Sequence, residues 1–188
     1  MSNCLIVVDL QNDYFPGGNM ELVGIAEAAG NARILLNQFR KTLSPVIHIR
    51  HIATRPDATF FLPETVGAKT NEMVAPQGNE IVVVKNYPNS FRDTSLLAIL
   101  NEEKPDNLVI CGAMSHMCID ATTRAAFDLG FNCIVAEDAC ATRNLMFKGK
   151  TIKASDVHAS FMAALSVPYA KVMATNELIE RGVDKNSA

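Results

Sequence analysis

Six short runs of this chain are rich in β-branched and other apolar residues: "CLIVVD" (4–9), "SPVIHIR" (44–50), "EIVVVK" (80–85), "NLVICGA" (107–113), "NCIVAEDA" (132–139) and "AKVMAT" (170–175). Between them lie longer segments whose apolar residues recur at helical spacing: "GIAEAAGNARILLNQFRK" (24–41), "SLLAILNEEK" (95–104), "CIDATTRAAFDLG" (118–130), "TIKASDVHASFMAAL" (151–165) and "NELIERG" (176–182). Gly130 and Gly182 follow the last periodic residues as stop signals. Strands that are apolar throughout and are joined by helices predict a parallel sheet covered on both faces, built from right-handed βαβ units. The expected fold class is therefore α/β, a doubly wound sheet, and with no repeat or linker in the chain one domain is expected over 1–188. One stretch breaks the alternation. Residues 51–79, "HIATRPDATFFLPETVGAKTNEMVAPQGN", show no periodicity and are either a covering loop or a functional one.

The bulk numbers narrow the function. A chain of 188 residues that is 48% hydrophobic and 20% charged reads as globular. No apolar run reaches the length of a membrane span, and the first residues lack the basic start of a signal peptide, so a cytoplasmic protein is expected, away from membranes. A net charge of −3 gives no footprint for nucleic acid. Five cysteines without a Cys-x-x-Cys pair argue against a disulfide framework, and Cys4, Cys111 and Cys133 read as buried small hydrophobes. The four histidines, His48, His51, His116 and His158, show no HExxH or zinc-finger spacing.

In an open parallel sheet, ligands bind outside the carboxyl ends of the strands. The first strand finishes at Asp9, the third at Lys85, and the fourth runs through Gly112 and Ala113 toward Cys118; the second finishes near His48 and Arg50. Each residue alone has a plain explanation: Asp9 as a turn-former, Lys85 as a solvated edge residue, Cys118 as packing. Together they bring an acid, a base and a thiol to one edge from three separate strands. A cysteine at a helix start is expected to have a lowered pKa, and Lys85 would lower it further. Backbone N–H groups in the same turn are donors for an oxyanion, and Asp9 would carry the proton. The chemistry these residues suggest is hydrolysis at an acyl carbon by a cysteine nucleophile.

The residues that carry this chemistry also carry a resemblance. "IVVDLQNDYFPGG" (6–18), the lysine after "IVVV", and "CGAMSHMCIDATTRAAFDLGF" (111–131) resemble the isochorismatase-like cysteine hydrolases, a superfamily that includes nicotinamidases and N-carbamoylsarcosine amidases. The resemblance runs from the first strand to "EDACAT" (137–142). It implies a three-layer, Rossmann-like α/β/α fold around a six-stranded parallel sheet, and a catalytic triad of Asp9, Lys85 and Cys118. It further implies a cis peptide at Ala113–Met114, an oxyanion hole from the Met114 and Cys118 amides, and a dimer or tetramer. Substrate-binding candidates carried over in the same way are Gln11, Phe15, Phe60, Phe61, Tyr87, Phe91 and His116.

Departures from the family pattern bear on the substrate. Nicotinamidases carry an Asp-x-His-Pro segment after the second strand that holds a metal, whereas this chain has Arg50 and Ile52 at those places. No metal and no cofactor are therefore expected, with His48 and His51 the only remaining ligand candidates after that strand. The implied function is hydrolysis of a small-molecule amide or related C–N or acyl bond through a thioester. The alternatives are an isochorismatase-type vinyl ether hydrolase, which does not need a cysteine nucleophile, and a non-hydrolytic binding protein on the same fold.

Overall fold

A computed structural model describes residues 2–182 of the chain; the other residues of the 1–188 span lie outside the described residues. The strands are β1 (Asn3–Val8), β2 (Val46–His51), β3 (Ile81–Lys85), β4 (Asn107–Ala113), β5 (Asn132–Ala141), β6 (Leu145–Phe147), β7 (Lys150–Ile152) and β8 (Lys171–Met173). The helices are α1 (Ile25–Lys41), α2 (Leu96–Glu103), α3 (Asp120–Asp128), α4 (Ala154–Leu165) and α5 (Thr175–Glu180). Six strands form one parallel sheet in the order β3-β2-β1-β4-β5-β8.

Side chains of β1 alternate between two apolar layers. Leu5 and Val7 pack with the α1 stripe of Ile25, Ala28, Ala32, Leu35, Leu36 and Phe39, and with Leu178 of α5. Cys4, Ile6 and Val8 face the opposite layer, built from Leu96 and Leu100 of α2, Ala126 of α3, and Met162 and Leu165 of α4. The α1 residues recur at helical spacing, which is why this helix lies flat on the sheet. Truncating a fully buried member such as Leu36 or Phe39 to alanine removes about 2–5 kcal/mol of stability. The result is the three-layer α/β/α arrangement with six parallel strands. No helix of the described residues is long and apolar enough to cross a membrane.

Strand order reverses direction between β1 and β4, the two central neighbours, so a crevice opens at their carboxyl ends. Gly112 permits this close approach. Its φ is +126°, and a Cβ there would run into the Val8 carbonyl of β1. The chain then passes through a cis Ala113–Met114 peptide into a wide turn, Ser115–Ile119, closed by Ile119 N donating to Met114 O at 3.2 Å.

Two helix starts differ from the sequence pattern by two residues or more. The helix expected from 118 begins as that wide turn, and α3 proper starts at Asp120. The helix expected from 151 starts at Ala154, because 145–152 form the β6–β7 hairpin. Helical periodicity extrapolated backward through "TIK" missed a short exposed strand whose partner is equally short.

Candidate active site

Asp9, Lys85 and Cys118 meet at the carboxyl edge of the sheet. Asp9 is the first residue after β1 and has a φ of +52°. Lys85 is the last residue of β3, and its ammonium Nζ donates to Asp9 Oδ2 at 2.7 Å and to Cys118 Sγ at 3.2 Å. The same Nζ lies 3.1 Å from the Tyr87 carbonyl oxygen and 3.0 Å from His51 Nδ1. Lys85 and Asp9 side chains are both fully removed from solvent. A buried charge of either sign is costly unless paired, so each holds the other in place.

Burial works against the Lys85 charge, but the Asp9 carboxylate and Cys118 beside it outweigh that and hold its pKa above the usual lysine value. The Cys118 thiol moves opposite to the sequence expectation. Burial first, then the Asp9 carboxylate, push its pKa well above the ordinary thiol range, with Lys85 pulling only partly back. Sequence reasoning weighed the helix start and the lysine but could not see the depth of the site. Asp9 Oδ1, the second oxygen of the carboxylate, has no hydrogen-bond partner among the described residues.

A cavity of about 340 Å³ opens onto Cys118. Its walls are Tyr14, Phe60, Phe61, Tyr87, Pro88, Met114 and Met117, with His51, Asn86, Thr54 and Arg55 supplying polar groups and no carboxylate among the lining side chains. The irregular segment after β2 contributes Ala53, Thr54, Arg55, Ala58, Phe60 and Phe61 to this wall. Its position comes from hydrogen bonds to the turn after β1. Asn12 N and Asp13 N donate to the Lys69 and Gly67 carbonyls, and Phe61 N donates to Asp13 Oδ2 at 2.6 Å. Tyr14 packs against Phe61 with the rings tilted by 54° and their centroids 4.5 Å apart. Burial pushes the Tyr14 phenol well above its usual pKa, so it stays neutral.

The other candidates divide. Phe60, Phe61, Tyr87 and Met114 line the cavity; Gln11, Phe15, Phe91 and His116 do not. Gln11 is fully buried, and its amide holds backbone: Nε2 donates to the His51 and Ala68 carbonyls, and Oε1 accepts from His51 N at 2.7 Å. Phe15 packs in the α1-side layer. Phe91 stacks on Phe131 and packs against the apolar layer on the α2 side of the sheet. His116 turns toward β5, where its Nδ1 lies 2.6 Å from Thr142 Oγ1. These four are candidates that the resemblance implies, and their side chains lie outside the lining of this cavity.

Among the cavity residues that sequence reasoning missed are His51 and Tyr14, together with Thr54, Arg55, Asn86, Pro88 and Met117. The second strand runs one residue past the expected 44–50 boundary, and in parallel register His51 pairs with Lys85. His48, the other histidine of that strand, is buried in a separate cluster where its Nε2 lies 2.8 Å from Glu80 Oε2. Neither histidine completes a metal centre with the triad. Asp9, His51 and Cys118 offer ligand atoms within 4.8 Å of one another, but the Lys85 ammonium stands within hydrogen-bond distance of all three. An added cation would have to displace one the protein already supplies.

Residues 3–177 match the isochorismatase domain family. The uncharacterized isochorismatase family protein YddQ of Bacillus subtilis is 48% identical over 180 residues, spanning 96% of this chain and 100% of that protein. A solved isochorismatase-hydrolase structure from Oleispira antarctica superposes with a TM-score of 0.92 at 50% identity, covering 95% of this chain and 96% of the other. The maleamate amidohydrolase of Pseudomonas putida is 25% identical over 191 residues, covering 94% of this chain and 85% of that enzyme.

Proposed function

Because this chain belongs to the isochorismatase family of hydrolases, we propose that it is a cysteine amidase of small molecules working through a thioester. The observation that carries the reading is the Lys85 ammonium held between the Asp9 carboxylate and the Cys118 sulfur at the wall of a small cavity. Maleamate amidohydrolase, a relative over most of the chain, is by its name an enzyme of amide hydrolysis, which favours C–N cleavage over the vinyl ether chemistry of isochorismatase.

The steps follow from the positions. Asp9, through the oxygen that has no other partner, takes the Cys118 proton, and Lys85 stabilises the thiolate as it forms. Sulfur attacks the amide carbon, and the Met114 and Cys118 N–H groups receive the oxyanion. Asp9 returns its proton to the departing ammonia or amine as the C–N bond breaks, leaving a thioester. Asp9 then draws a proton from water, oxygen bonds to the acyl carbon, the C–S bond breaks, and the proton reaches sulfur. Tyr14, Phe60, Phe61 and Met117 fit a compact, largely apolar acyl group. A homo-oligomer, which the resemblance implies, would cover the exposed Met146, Phe147 and Ile152 of the β6–β7 hairpin.

Ammonia release from a panel of small amides and carbamoyl compounds, with isochorismate as the ether control, tests the reading. Turnover of at least one amide supports it; turnover of isochorismate alone overturns it.

A further inference from the structure

Lys85 has more acceptors than it has protons. Its ammonium carries three N–H groups. Four acceptors surround it within 3.2 Å: Asp9 Oδ2, His51 Nδ1, the Tyr87 carbonyl and Cys118 Sγ. While Cys118 sulfur accepts as a thiolate, His51 is therefore surplus. Yet its placement is controlled on every side. The wholly buried Gln11 amide grips its backbone N–H and carbonyl, parallel pairing sets it beside Lys85, and its ring lies 5.9 Å from that of Phe61.

We propose that His51 is a positioning residue that acts through Lys85 at the thioester stage, taking over the N–H that Cys118 sulfur gives up on acylation. This rests on the reading of Cys118 as the nucleophile. The thiolate that Lys85 stabilises during attack is a strong acceptor, whereas the same sulfur once bonded to an acyl carbon is uncharged and accepts hydrogen bonds weakly. Without a replacement, one ammonium N–H would be left buried and unpaired, and the lysine would swing away from Asp9 while Asp9 activates water. With His51 in place, Asp9, Tyr87 and Nδ1 account for all three N–H groups. The ring must stay neutral to accept at Nδ1, and it does. Burial first, then the Lys85 charge, lower its pKa to about 4, with Arg55 adding and Asp9 opposing.

p-Nitrophenyl acetate separates the two stages. In acylation Asp9 takes the thiol proton, the Cys118 S–C bond forms, the ester C–O bond breaks, nitrophenolate leaves, and the proton passes from Asp9 to solvent. In deacylation water adds to the carbon, the C–S bond breaks, and a proton returns to sulfur through Asp9. The expected result for His51→Leu is a nitrophenolate burst within about threefold of wild type and a steady-state rate at least about tenfold lower, with acetyl-Cys118 accumulating by intact mass. His51→Asn, whose side-chain oxygen falls near the Nδ1 position, should restore the steady-state rate to within about threefold. Equal burst and steady-state rates in wild type and His51→Leu overturn the proposal, as does an equal fall in both phases that Asn does not rescue. Ester hydrolysis by Cys118→Ala as fast as by wild type, with no acetyl group on wild-type Cys118 during turnover, removes the nucleophile reading itself, and this proposal with it. Thermal unfolding of each variant reports whether the fold is retained.

Discussion

Lys85 Nζ sits 2.7 Å from Asp9 Oδ2 with neither side chain reaching solvent. Removing one partner leaves the other as an uncompensated buried charge, at a cost of about 3–5 kcal/mol. Lys85→Met should therefore lower stability in urea by that order, and the double variant with Asp9→Asn should recover part of the loss. Additive losses would show that the two charges do not depend on each other. Both single variants should also lack hydrolysis, since one removes the proton carrier and the other the group that supports the thiolate.

Stability should rise with pH between about 4 and the ordinary histidine range, and His51 is one cause. Its folded pKa stands at about 4 against 6.5 unexposed to the fold, so in that window the unfolded chain binds a proton that the native protein refuses. His48, also lowered chiefly by burial, adds in the same direction. Glu80 acts at lower pH. Burial raises its pKa, but bonds from Arg40, Gln77 and His48 outweigh this and hold it at about 2, so its contribution is present above 4.5 and is lost as pH falls toward 2. Urea midpoints measured across pH should show a shallower slope between 4 and 6.5 for His51→Asn. An unchanged slope would contradict the neutral, buried ring.

Asp13→Ala should loosen the cavity wall without touching the thiol. Asp13 accepts from Phe61 N through one oxygen and from Asn19 through the other. Losing a buried carboxylate with these partners costs about 1–3 kcal/mol. Steady-state kinetics on a turned-over amide should show KM rising by about tenfold with a smaller change in kcat. Loss of kcat alone would place Asp13 in the chemistry instead.

Substitutions at the candidates that lie outside the cavity lining should be mild. His116→Gln and Phe91→Leu should leave KM within about threefold of wild type, whereas Phe60→Ala should raise it, because only Phe60 of the three lines the cavity. Chelation with EDTA should leave turnover unchanged, since the Lys85 ammonium occupies the space among Asp9, His51 and Cys118.

The parallel α/β fold was legible because every strand of the sheet is apolar where it must be buried on both faces, and "CLIVVD" and "NLVICGA" could be little else. The meeting of Asp9, Lys85 and Cys118 was legible for the same reason: charges and a thiol at strand ends have one edge to share. What stayed hidden depends on rotation and depth. Ending β2 one residue early leaves His51 outside the strand, so its pairing with Lys85 is not seen. Gln11 looked like a ligand contact because a polar residue beside Asp9 has no sequence mark to say that it faces backbone. The raised thiol pKa arises from burial by Tyr14, Met114 and their neighbours, which come from separate parts of the chain.

Trapping the covalent intermediate bears on the central assignment most directly. The protein is acid-quenched while turning over an amide that releases ammonia, digested, and mapped by mass spectrometry. The expected outcome is the substrate's acyl group on the peptide containing Cys118 and on no other cysteine, and complete loss of both adduct and turnover in Cys118→Ala with the urea curve retained. Undiminished amide hydrolysis by Cys118→Ala, or an unmodified Cys118 peptide throughout turnover with the acyl group found elsewhere, would contradict the assignment.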